Sequence, residues 1–306
     1  MINLAELLRP GDLLVVNDSR VYPARLVGHR DPSGGRVECL LLARLDQDRW
    51  DVLMHPGQKL GRGARAVFGE GDTRLDVEVL DQHFHGRRTV RLTTPAPVGV
   101  DAVIDAVGQT PLPPYIKRPV DRADTERYQT IFAKVRGSVA APTAGLHFTP
   151  ALMAKLRAAG IDCTEVTLHV GYGTFQPIRG EQVEDHHVAT EHFEVTPRSA
   201  ERINLALEEG RRVVAVGTTT TRVLETVARL GDGRVIPTVG ETDLFIRPGF
   251  DFRVVGGLLT NFHLPKSSLL VLVAAFAGRE RVLKAYAEAV SRRYRFYSYG
   301  DAMLVT

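Results

Sequence analysis

Three histidines lie in settings where an imidazole could reach a ligand. His147 ends a run of mostly small residues, 137–148, and His169 and His263 each follow an apolar stretch typical of a buried strand. Because imidazole titrates near neutral pH, these side chains are candidates for general acid–base catalysis. The alternative, a structural histidine satisfied by its own hydrogen bonds, stays open for each of them.

The run 137–148 is expected to be a loop that leads into a helix. Thr149 suits the cap position, Pro150 suits the first turn, and residues 151–159 have helical periodicity. Small side chains let a ligand approach the backbone, and the free N–H groups of a helix start favour an anion or a polarised oxygen. The alternative is a tight interior turn in which alanine serves packing.

Other polar groups flank predicted strands and would meet at one sheet edge if those strands are parallel. The expected strands are residues 13–16, 163–170, 211–217, 244–246 and one that ends within 258–265. The polar groups beside them are Asn17, Asp18, Ser19, Arg20, Gly171, Gly173, Thr174, Gly217, Thr218, Thr219, Arg222, Glu241, Thr242, Asp243, Thr260 and Asn261. For residues 17–20, ordinary turn chemistry and ligand binding are both open.

Two of these segments resemble nucleotide motifs only in part. The order strand, glycine, hydroxyl-rich turn, helix around Gly217 presents backbone N–H groups to a ligand, but the lysine of a P-loop is absent. Gly171-x-Gly173 lacks the third glycine of the dinucleotide fingerprint, so we reject a Rossmann site.

A third cluster contains the residue types that bind metals, namely Glu184, Asp185, His186, His187, Glu191 and His192. The spacing from His187 to Glu191-His192 has one residue too many for the inverted zinc-protease helix. We therefore expect no metal.

The sequence pattern differs between residues 21 and 92, where short β-type runs alternate with turn signals and no helical pattern intervenes. The runs are 24–26, 37–42, 50–54, 64–68, 75–80 and 89–92. This spacing predicts a small all-β barrel or sandwich. The region is also rich in basic residues, which indicates either a solvated surface or a face for nucleic acid.

The segment 110–119 contains four prolines and is expected to be stiff and extended. Tyr115, Lys117 and Arg118 on such a strip could stack on a base and meet phosphates. As a linker between domains, the segment needs no such role.

Composition excludes several classes of protein. The chain has 306 residues and 44% hydrophobic content, which suffice for one large or two ordinary globular domains. Its longest apolar run, 269–276, is far too short to cross a bilayer, and the first residues do not resemble a signal peptide. Two cysteines argue against a disulfide framework and suit the cytoplasm, and the net charge of +3 permits a polyanionic partner.

Several longer motifs are distributed along nearly the whole chain. They are PGDLLVVNDSRVYPARL (10–26), PLPPYI (111–116), AAPTAGLHF (140–148), LHVGYGTF (168–175), VGTTTTR (216–222), GETD (240–243), TNFHLP (260–265) and FYSYGDAM (296–303). In this order they closely resemble the S-adenosylmethionine:tRNA ribosyltransferase-isomerases of queuosine biosynthesis. No other family known to us has this set.

The chain departs from the family pattern at three places. Family members usually carry several tens of residues before the first motif, including a basic stretch, so we expect part of the larger domain's sheet or a substrate-facing arm to be absent. Thr220 and Thr221 replace a common Ser-Val pair, which is compatible with the same site. Arg247 replaces a common aromatic residue, and we have no interpretation of that change.

The resemblance implies an α/β fold: a larger α/β domain built from both chain ends, residues 1–20 and 111–306, with a small all-β barrel inserted at 21–110. The implied reaction transfers and isomerises the ribosyl moiety of S-adenosylmethionine onto the 7-aminomethyl-7-deazaguanine wobble base of tRNA. Its products are epoxyqueuosine-tRNA, adenine and methionine. The implied partners are tRNA and S-adenosylmethionine, the latter as a substrate, with no membrane and a cytoplasmic location.

This reaction suggests roles for the polar residues listed above. His147, His169, His263 and Asp243 are the catalytic candidates. Arg222 is expected to bind the methionine carboxylate, while Glu241 or Asp243 would bind its amino group or attract the sulfonium. The remaining candidates for binding S-adenosylmethionine are Thr143, Gly145, Gly171, Gly173, Thr174, Gly217, Thr218, Thr219, Thr242, Thr260 and Asn261. The candidates for tRNA contact are Arg20, Arg25, Tyr115, Lys117 and Arg118.

Two other classes of function stay open. One is a non-catalytic tRNA-binding protein that keeps the scaffold, which release of adenine from S-adenosylmethionine would exclude. The other is a generic nucleotide-dependent α/β enzyme, which the missing P-loop disfavours.

Overall fold

The computed structural model describes residues 3–121, 123–175, 177–178 and 182–306. They form two compact units: an α/β unit, which joins the residues up to Arg20 to Gln129–Thr306, and a barrel unit, Val21–Tyr128. The sequence-based division at 1–20 with 111–306 and at 21–110 differs from this one in the placement of residues 111–128. The α/β fold class with an all-β barrel is confirmed.

The described residues form helices and strands with the following bounds. The α-helices are α1 (Leu4–Leu7), α2 (Val100–Val107), α3 (Asp124–Arg127), α4 (Pro150–Ala158), α5 (Pro197–Glu208), α6 (Thr218–Leu230), α7 (Ser268–Ala277) and α8 (Arg279–Ser291). The strands are β1 (Leu13–Asn17), β2 (Ser19–Val21), β3 (Arg25–Asp31), β4 (Arg36–Arg44), β5 (Arg49–His55), β6 (Arg65–Phe68), β7 (Leu75–Gln82), β8 (Arg87–Thr93), β9 (Val135–Ser138), β10 (Asp162–Leu168), β11 (Glu191–Val195), β12 (Val213–Val216), β13 (Thr238–Thr242), β14 (Gly257–Asn261) and β15 (Ala302–Val305).

The α/β unit is built on a seven-stranded sheet in the order β13-β11-β10-β1-β12-β14-β15. The four middle strands, β10, β1, β12 and β14, are parallel, and the flanking strands join them antiparallel. Parallel strands buried on both faces are almost wholly apolar, and β1 has this pattern as Leu-Leu-Val-Val-Asn, with all five residues buried.

The two faces of β1 belong to separate cores. Leu13 and Val15 face a core that includes side chains of α5, α6, α7 and α8. Leu14 and Val16 face the other core, which includes α1 and α4. Because side chains alternate along a strand, these helices cover both faces of the middle sheet.

The carboxyl ends of the four parallel strands lie at one edge. They are Asn17, Leu168, Val216 and Asn261, the last residues of β1, β10, β12 and β14. In open α/β sheets this edge is where ligands bind, especially where the strand order reverses, as it does around β1. The polar groups that directly follow β1, β10, β12 and β14 therefore lie at this edge, whereas the fifth expected strand, 244–246, does not form.

The barrel unit contains a closed barrel in the order β3-β4-β5-β8-β7-β6, so the choice between barrel and sandwich is resolved. Arg88 lies inside it, 2% exposed. Its guanidinium donates to the carbonyls of Leu60, Gly57, His83 and Arg87. A buried cation thus connects the loop after β5 to the β7–β8 hairpin.

Local signals at helix starts are confirmed, and one strand prediction is wrong. Thr149 accepts a hydrogen bond from the Leu152 N–H at 3.1 Å and caps α4. Residues 244–246 form no strand, and the edge strand β13 lies just before them. The backbone of Leu244 is held by side chains instead, since its N–H donates to Thr242 Oγ1 and its carbonyl accepts from Arg222 Nε. Within the described part of the chain, no helix has the length and apolar character needed to traverse a bilayer.

Candidate functional site

The loop 137–148 meets the end of β14 through Asn261. Residues Thr143–His147 form a short 3-10 helix before α4. Thr143 Oγ1 donates to Asn261 Oδ1 at 3.1 Å, and Asn261 Nδ2 lies 3.0 Å from His147 Nε2. The same Nδ2 donates to the Tyr297 carbonyl at 3.1 Å. Three predicted site residues are therefore in direct contact.

Burial lowers the pKa of His147. Arg295 lowers the pKa further, and Asp301 acts in the opposite direction. Loss of water disfavours the charged imidazolium, so the ring is held neutral over a wider pH range than an exposed histidine.

His263 is buried more deeply, at 8% exposure. Its Nε2 lies 3.2 Å from Thr260 Oγ1, and its backbone N–H donates to the Tyr286 hydroxyl at 2.8 Å. Burial lowers the pKa of His263 to about 4. The buried Nδ1 has no hydrogen-bond partner among the described residues. The ring is therefore neutral at physiological pH.

The start of α6 presents both backbone and hydroxyl groups. Gly217 precedes the helix with a φ of 96°, a conformation that favours glycine. Thr220 and Thr221 donate their hydroxyls back to the carbonyls of Val216 and Gly217.

Two threonines of this turn differ from that pair. Thr218 and Thr219 are buried at the first positions of α6, and Thr219 Oγ1 has no partner among the described residues. A Cβ added at Gly217 would lie 3.5 Å from both Ala144 Cβ and Thr219 Oγ1, so this turn adjoins the loop that contains His147. A buried hydroxyl without a partner at a ligand-binding edge is a candidate contact for a ligand.

Arg222 and Glu191 form a buried ion pair. The remaining donors of Arg222 bind the carbonyls of Thr242 and Leu244, each at 3.0 Å. Glu191 Oε1 accepts from the Gly171 N–H and from Thr174 Oγ1, each at 2.8 Å. The pair thus contacts Gly171, Thr174, Thr242 and Leu244, and the guanidinium already has a carboxylate partner.

His169 packs against the backbone of Gly137. A Cβ at Gly137 would lie 2.6 Å from the imidazole Cε1 and Nδ1 atoms, so only glycine fits here. Burial lowers the pKa of His169, His192 lowers it further, and Glu194 opposes the shift. Its Nδ1 is buried without a partner among the described residues.

The polar residues after β1 position this region. Asn17 Oδ1 accepts from the N–H groups of Ser19 and Leu168. Ser138 Oγ donates to Ser19 Oγ at 2.8 Å and accepts from the Val170 N–H at 2.9 Å. Of the two interpretations left open for residues 17–20, turn chemistry accounts for Asn17 and Ser19.

Other candidates lie apart from this network. Glu241 and Asp243 are exposed, and Glu241 Oε1 lies 3.2 Å from His192 Nδ1. Gly145 is buried, and a Cβ there would lie 2.8 Å from the Thr130 methyl group. Gly173 would bring a Cβ to 2.7 Å from Ala189. These two glycines are thus required by close packing.

The acidic and histidine residues considered as metal ligands have separate partners. Glu191 pairs with Arg222, His192 with Glu241, and His186 packs edge-on against Phe245. Among the described residues, no group of three or more such side chains has a metal-binding arrangement.

The residues proposed to contact tRNA differ in their exposure and in whether they already have a partner within the protein. Arg20 and Lys117 are exposed, and Tyr115 is half-buried. Arg25 pairs with Glu38 at 2.7 Å. Arg118 binds the buried carboxylate of Asp124 through two hydrogen bonds of 2.6 Å, so its guanidinium holds the loop before α3.

Two carboxylates of the sheet edge are buried, which the sequence did not indicate, although both residues were among the candidates named from it. Glu191 occupies an inward position of β11, where the strand alternates buried and exposed residues. An acid in phase with Phe193 and Val195 is the signal that a buried cation faces it. Asp18 accepts from Thr167 Oγ1 at 2.7 Å, and burial raises the pKa of its carboxyl.

Comparison with known proteins gives a consistent result. Residues 1–305 match the family model described as "Queuosine biosynthesis protein". Relatives named S-adenosylmethionine:tRNA ribosyltransferase-isomerase include those of Heliobacterium modesticaldum, 51% identical over 99% of this chain and 87% of the relative, and Carboxydothermus hydrogenoformans, 52% identical over the same shares.

A solved structure agrees in fold. The crystal structure of S-adenosylmethionine tRNA ribosyltransferase from Thermotoga maritima matches with 39% identity and a TM-score of 0.52, covering 100% of this chain and 86% of that one. Residues of the motifs 140–148 and 260–265 are in direct contact, and the motifs 168–175 and 216–222 are connected through Glu191 and Arg222. The chain belongs to the S-adenosylmethionine:tRNA ribosyltransferase-isomerase family.

Proposed function

We propose that the chain transfers the ribosyl part of S-adenosylmethionine to the 7-aminomethyl-7-deazaguanine wobble base of tRNA and isomerises it, giving epoxyqueuosine-tRNA. The bonds from the sugar to adenine and to the methionine sulfur break, and the aminomethyl nitrogen becomes bonded to the sugar skeleton. The observation that carries this proposal is the full-length family match at about 50% identity. We place the reaction in the cytoplasm, which suits two unbridged cysteines.

The sheet edge offers candidate groups for two of the three requirements of this chemistry. The sulfonium-activated carbon needs a base, departing adenine needs a hydrogen-bond donor, and the ribose hydroxyls need polar partners. His169 is a candidate base, because its imidazole is held neutral by burial and its Nδ1 has no partner among the described residues. Thr218 and Thr219 at the start of α6 are candidates for ribose contacts.

Glu191 and Arg222 suit a supporting role in this proposal. Because the guanidinium is paired with Glu191, we assign Arg222 to holding the loop that contains Gly171 and Thr174. A methionine carboxylate would have to share a cation that is already neutralised, which reduces the attraction. The exposed acids Glu241 and Asp243 are candidates for the methionine amino group.

The barrel unit offers a surface for tRNA. An open cavity of about 610 Å³ lies between the loop after β5 and the β7–β8 hairpin. His55, His83, His85 and Arg88 line it, and none of its described lining residues is acidic. Phe84, at the tip of the hairpin, is 89% exposed. An exposed aromatic face beside this cavity fits stacking on an unpaired base.

A single-turnover assay tests the proposed function. S-adenosylmethionine and tRNA bearing the aminomethyl-deazaguanine are mixed with excess enzyme, and adenine release and the mass of the modified nucleoside are followed together. We expect both products. Binding of the tRNA without adenine release would instead indicate the non-catalytic tRNA-binding protein considered above, and adenine release without base modification would exclude ribosyl transfer.

A further inference from the structure

The side-chain amide of Asn261 has only one orientation compatible with its partners. The Tyr297 carbonyl lies 3.1 Å from one amide atom of Asn261, and a carbonyl can only accept a hydrogen bond. The amide nitrogen must therefore face Tyr297. The oxygen then faces Thr143, whose hydroxyl donates to it at 3.1 Å.

The Tyr297 carbonyl is itself held in place. Tyr297 has a φ of 74°, which is uncommon for a residue with a side chain. Its N–H donates to the Phe262 carbonyl at 3.0 Å, and its carbonyl also accepts from the Gly300 N–H at 3.0 Å. A backbone conformation fixed from both sides therefore determines which way the amide of Asn261 points.

This orientation determines the protonation of His147. Asn261 Nδ2 uses one hydrogen for Tyr297 and has a second, and His147 Nε2 lies 3.0 Å from it. A ring nitrogen that accepts a hydrogen bond must present a lone pair. In the neutral imidazole the proton is then on Nδ1.

From this geometry we propose that Asn261 is a positioning residue that fixes His147 as the Nδ1–H tautomer, so that His147 acts in the site as a neutral hydrogen-bond donor. It does not serve as the base, because Nε2 is already engaged and Nδ1 has no lone pair to offer. The role in catalysis rests on the proposed function, whereas the tautomer does not.

Charge near the ring is consistent with this role. A proton on Nε2 would face the N–H of Asn261, which repels it. Among the charged groups that act on this imidazole, Arg295 opposes protonation and Asp301 favours it. Burial is the largest influence on the pKa of His147 and lowers it. A neutral donor suits a departing nitrogen base or a ribose oxygen, which accumulate electron density as bonds break.

Nitrogen NMR of the full chain labelled with ¹⁵N-histidine tests the tautomer directly. The His147→Gln variant identifies the His147 signals by their loss. In the unmodified protein at pH 8, we expect Nδ1 to show a directly bonded proton and Nε2 to show a lone pair. A proton on Nε2, or a titration midpoint at or above about 6.5, the ordinary histidine value, would overturn the proposal. This measurement needs no substitution at Asn261 and no catalysis.

The Asn261→Asp variant tests the positioning role. A carboxylate facing Nε2 would favour a proton there, so we expect the His147 titration midpoint to rise and the tautomer to change. In the single-turnover assay at pH 7, adenine release should slow about a hundredfold, the usual loss of one preorganised donor. Its acidic limb should move to higher pH together with the NMR midpoint.

A matched variant separates this effect from damage to the fold. Asn261→Ser shortens the side chain, so it removes the donor that faces Nε2 without adding a charge. It should lose the preference for the Nδ1–H tautomer, while its His147 titration midpoint stays below that of Asn261→Asp. Equal tautomers in all three proteins would overturn the positioning role. A correct tautomer in a protein that transfers no ribosyl group would leave the assignment standing and would contradict the proposed function instead.

Discussion

Single side chains of the sheet edge are held by partners from distant parts of the chain. Glu191 receives hydrogen bonds from Arg222 in α6 and from Gly171 and Thr174 in the loop after β10. Charges are tolerated at this depth because each has an opposite charge and further hydrogen bonds. The pair therefore joins α6, β11 and the loop after β10 at one point.

Removal of either Glu191 or Arg222 alone should reduce the free energy of unfolding by more than the ion pair contributes to it in the intact protein. Glu191→Ala leaves Arg222 buried without a counter-charge, and we expect a loss of about 3–5 kcal/mol in the free energy of unfolding. Urea unfolding followed by circular dichroism measures it.

The double variant Glu191→Ala, Arg222→Met is the matched control, since no charge remains buried. It should be more stable than Glu191→Ala alone, with a coupling of about 1–3 kcal/mol between the two sites. Additive losses at the two positions would show that the carboxylate and guanidinium do not interact.

Among the elements, the β7–β8 hairpin has a feature that stability does not explain. Phe84 at its tip is 89% exposed, next to His85, whose φ of 55° belongs to the left-handed region. A conformation of this kind is uncommon outside glycine and is often associated with function. It fits the proposed contact with an unpaired base.

Phe84→Ala should weaken tRNA binding without affecting the fold. Stacking of a base on an aromatic ring contributes about 1–3 kcal/mol, so we expect the Kd for tRNA to rise roughly tenfold, with an unchanged melting temperature. Phe84→Trp should bind like the unmodified protein, because it keeps an aromatic face. Fluorescence anisotropy with labelled tRNA measures both.

Leu45→Ala is a suitable control, since Leu45 is an exposed apolar residue of the same unit, at 54%. It should bind tRNA normally. The affinity of all these proteins should fall steeply with salt, as expected for contacts to phosphates. Equal affinity of Phe84→Ala and the unmodified protein would exclude stacking at this hairpin.

Some strands could be predicted from the sequence and others could not. The barrel strands follow from alternating patterns such as Leu75–Gln82, and β1 follows from its continuous apolar run. The edge strand β13 was missed because Thr-Val-Gly-Glu-Thr has little apolar pattern. The apolar run 244–246 forms no strand, and side chains hold the backbone of its first residue, Leu244.

The site, too, could be predicted from the sequence only in part. The sequence indicated both His147 and Asn261 as site candidates, Asn261 because it ends an expected strand and His147 because it ends a loop that leads into a helix. It did not indicate that they touch, because that contact depends on how a 3-10 turn packs on β14, 114 residues away along the chain. The contribution of Tyr297 was hidden for the same reason, since a backbone carbonyl has no sequence signature.

At the scale of the whole molecule, buried histidines make stability depend on pH. The imidazole of His263 has a pKa of about 4 in the folded protein, through burial, against about 6.5 in an unfolded chain. Between these values the unfolded state binds one more proton than the folded state does. Stability therefore rises with pH across this window and is lost as the pH falls.

The His263→Gln variant should remove this dependence. We expect the free energy of unfolding of the unmodified protein to fall more steeply than that of the variant between about pH 6.5 and 4, by up to about 1.4 kcal/mol per pH unit. Unfolding by urea is followed through far-ultraviolet circular dichroism, because the long helices α4–α8 all belong to the α/β unit.

Above pH 7, the difference in free energy of unfolding between the unmodified protein and His263→Gln should not change with pH. That constant difference measures the effect of removing the imidazole ring itself. Asp18 acts in the opposite sense, because burial raises the pKa of its carboxyl and the folded state holds its proton longer. That contribution is common to both proteins and cancels in their difference. If the free energies of unfolding of the two proteins changed in parallel from pH 8 to pH 4, His263 would be protonated equally in the folded and unfolded states. That result would contradict the structure, in which His263 is 8% exposed and its Nδ1 has no partner among the described residues.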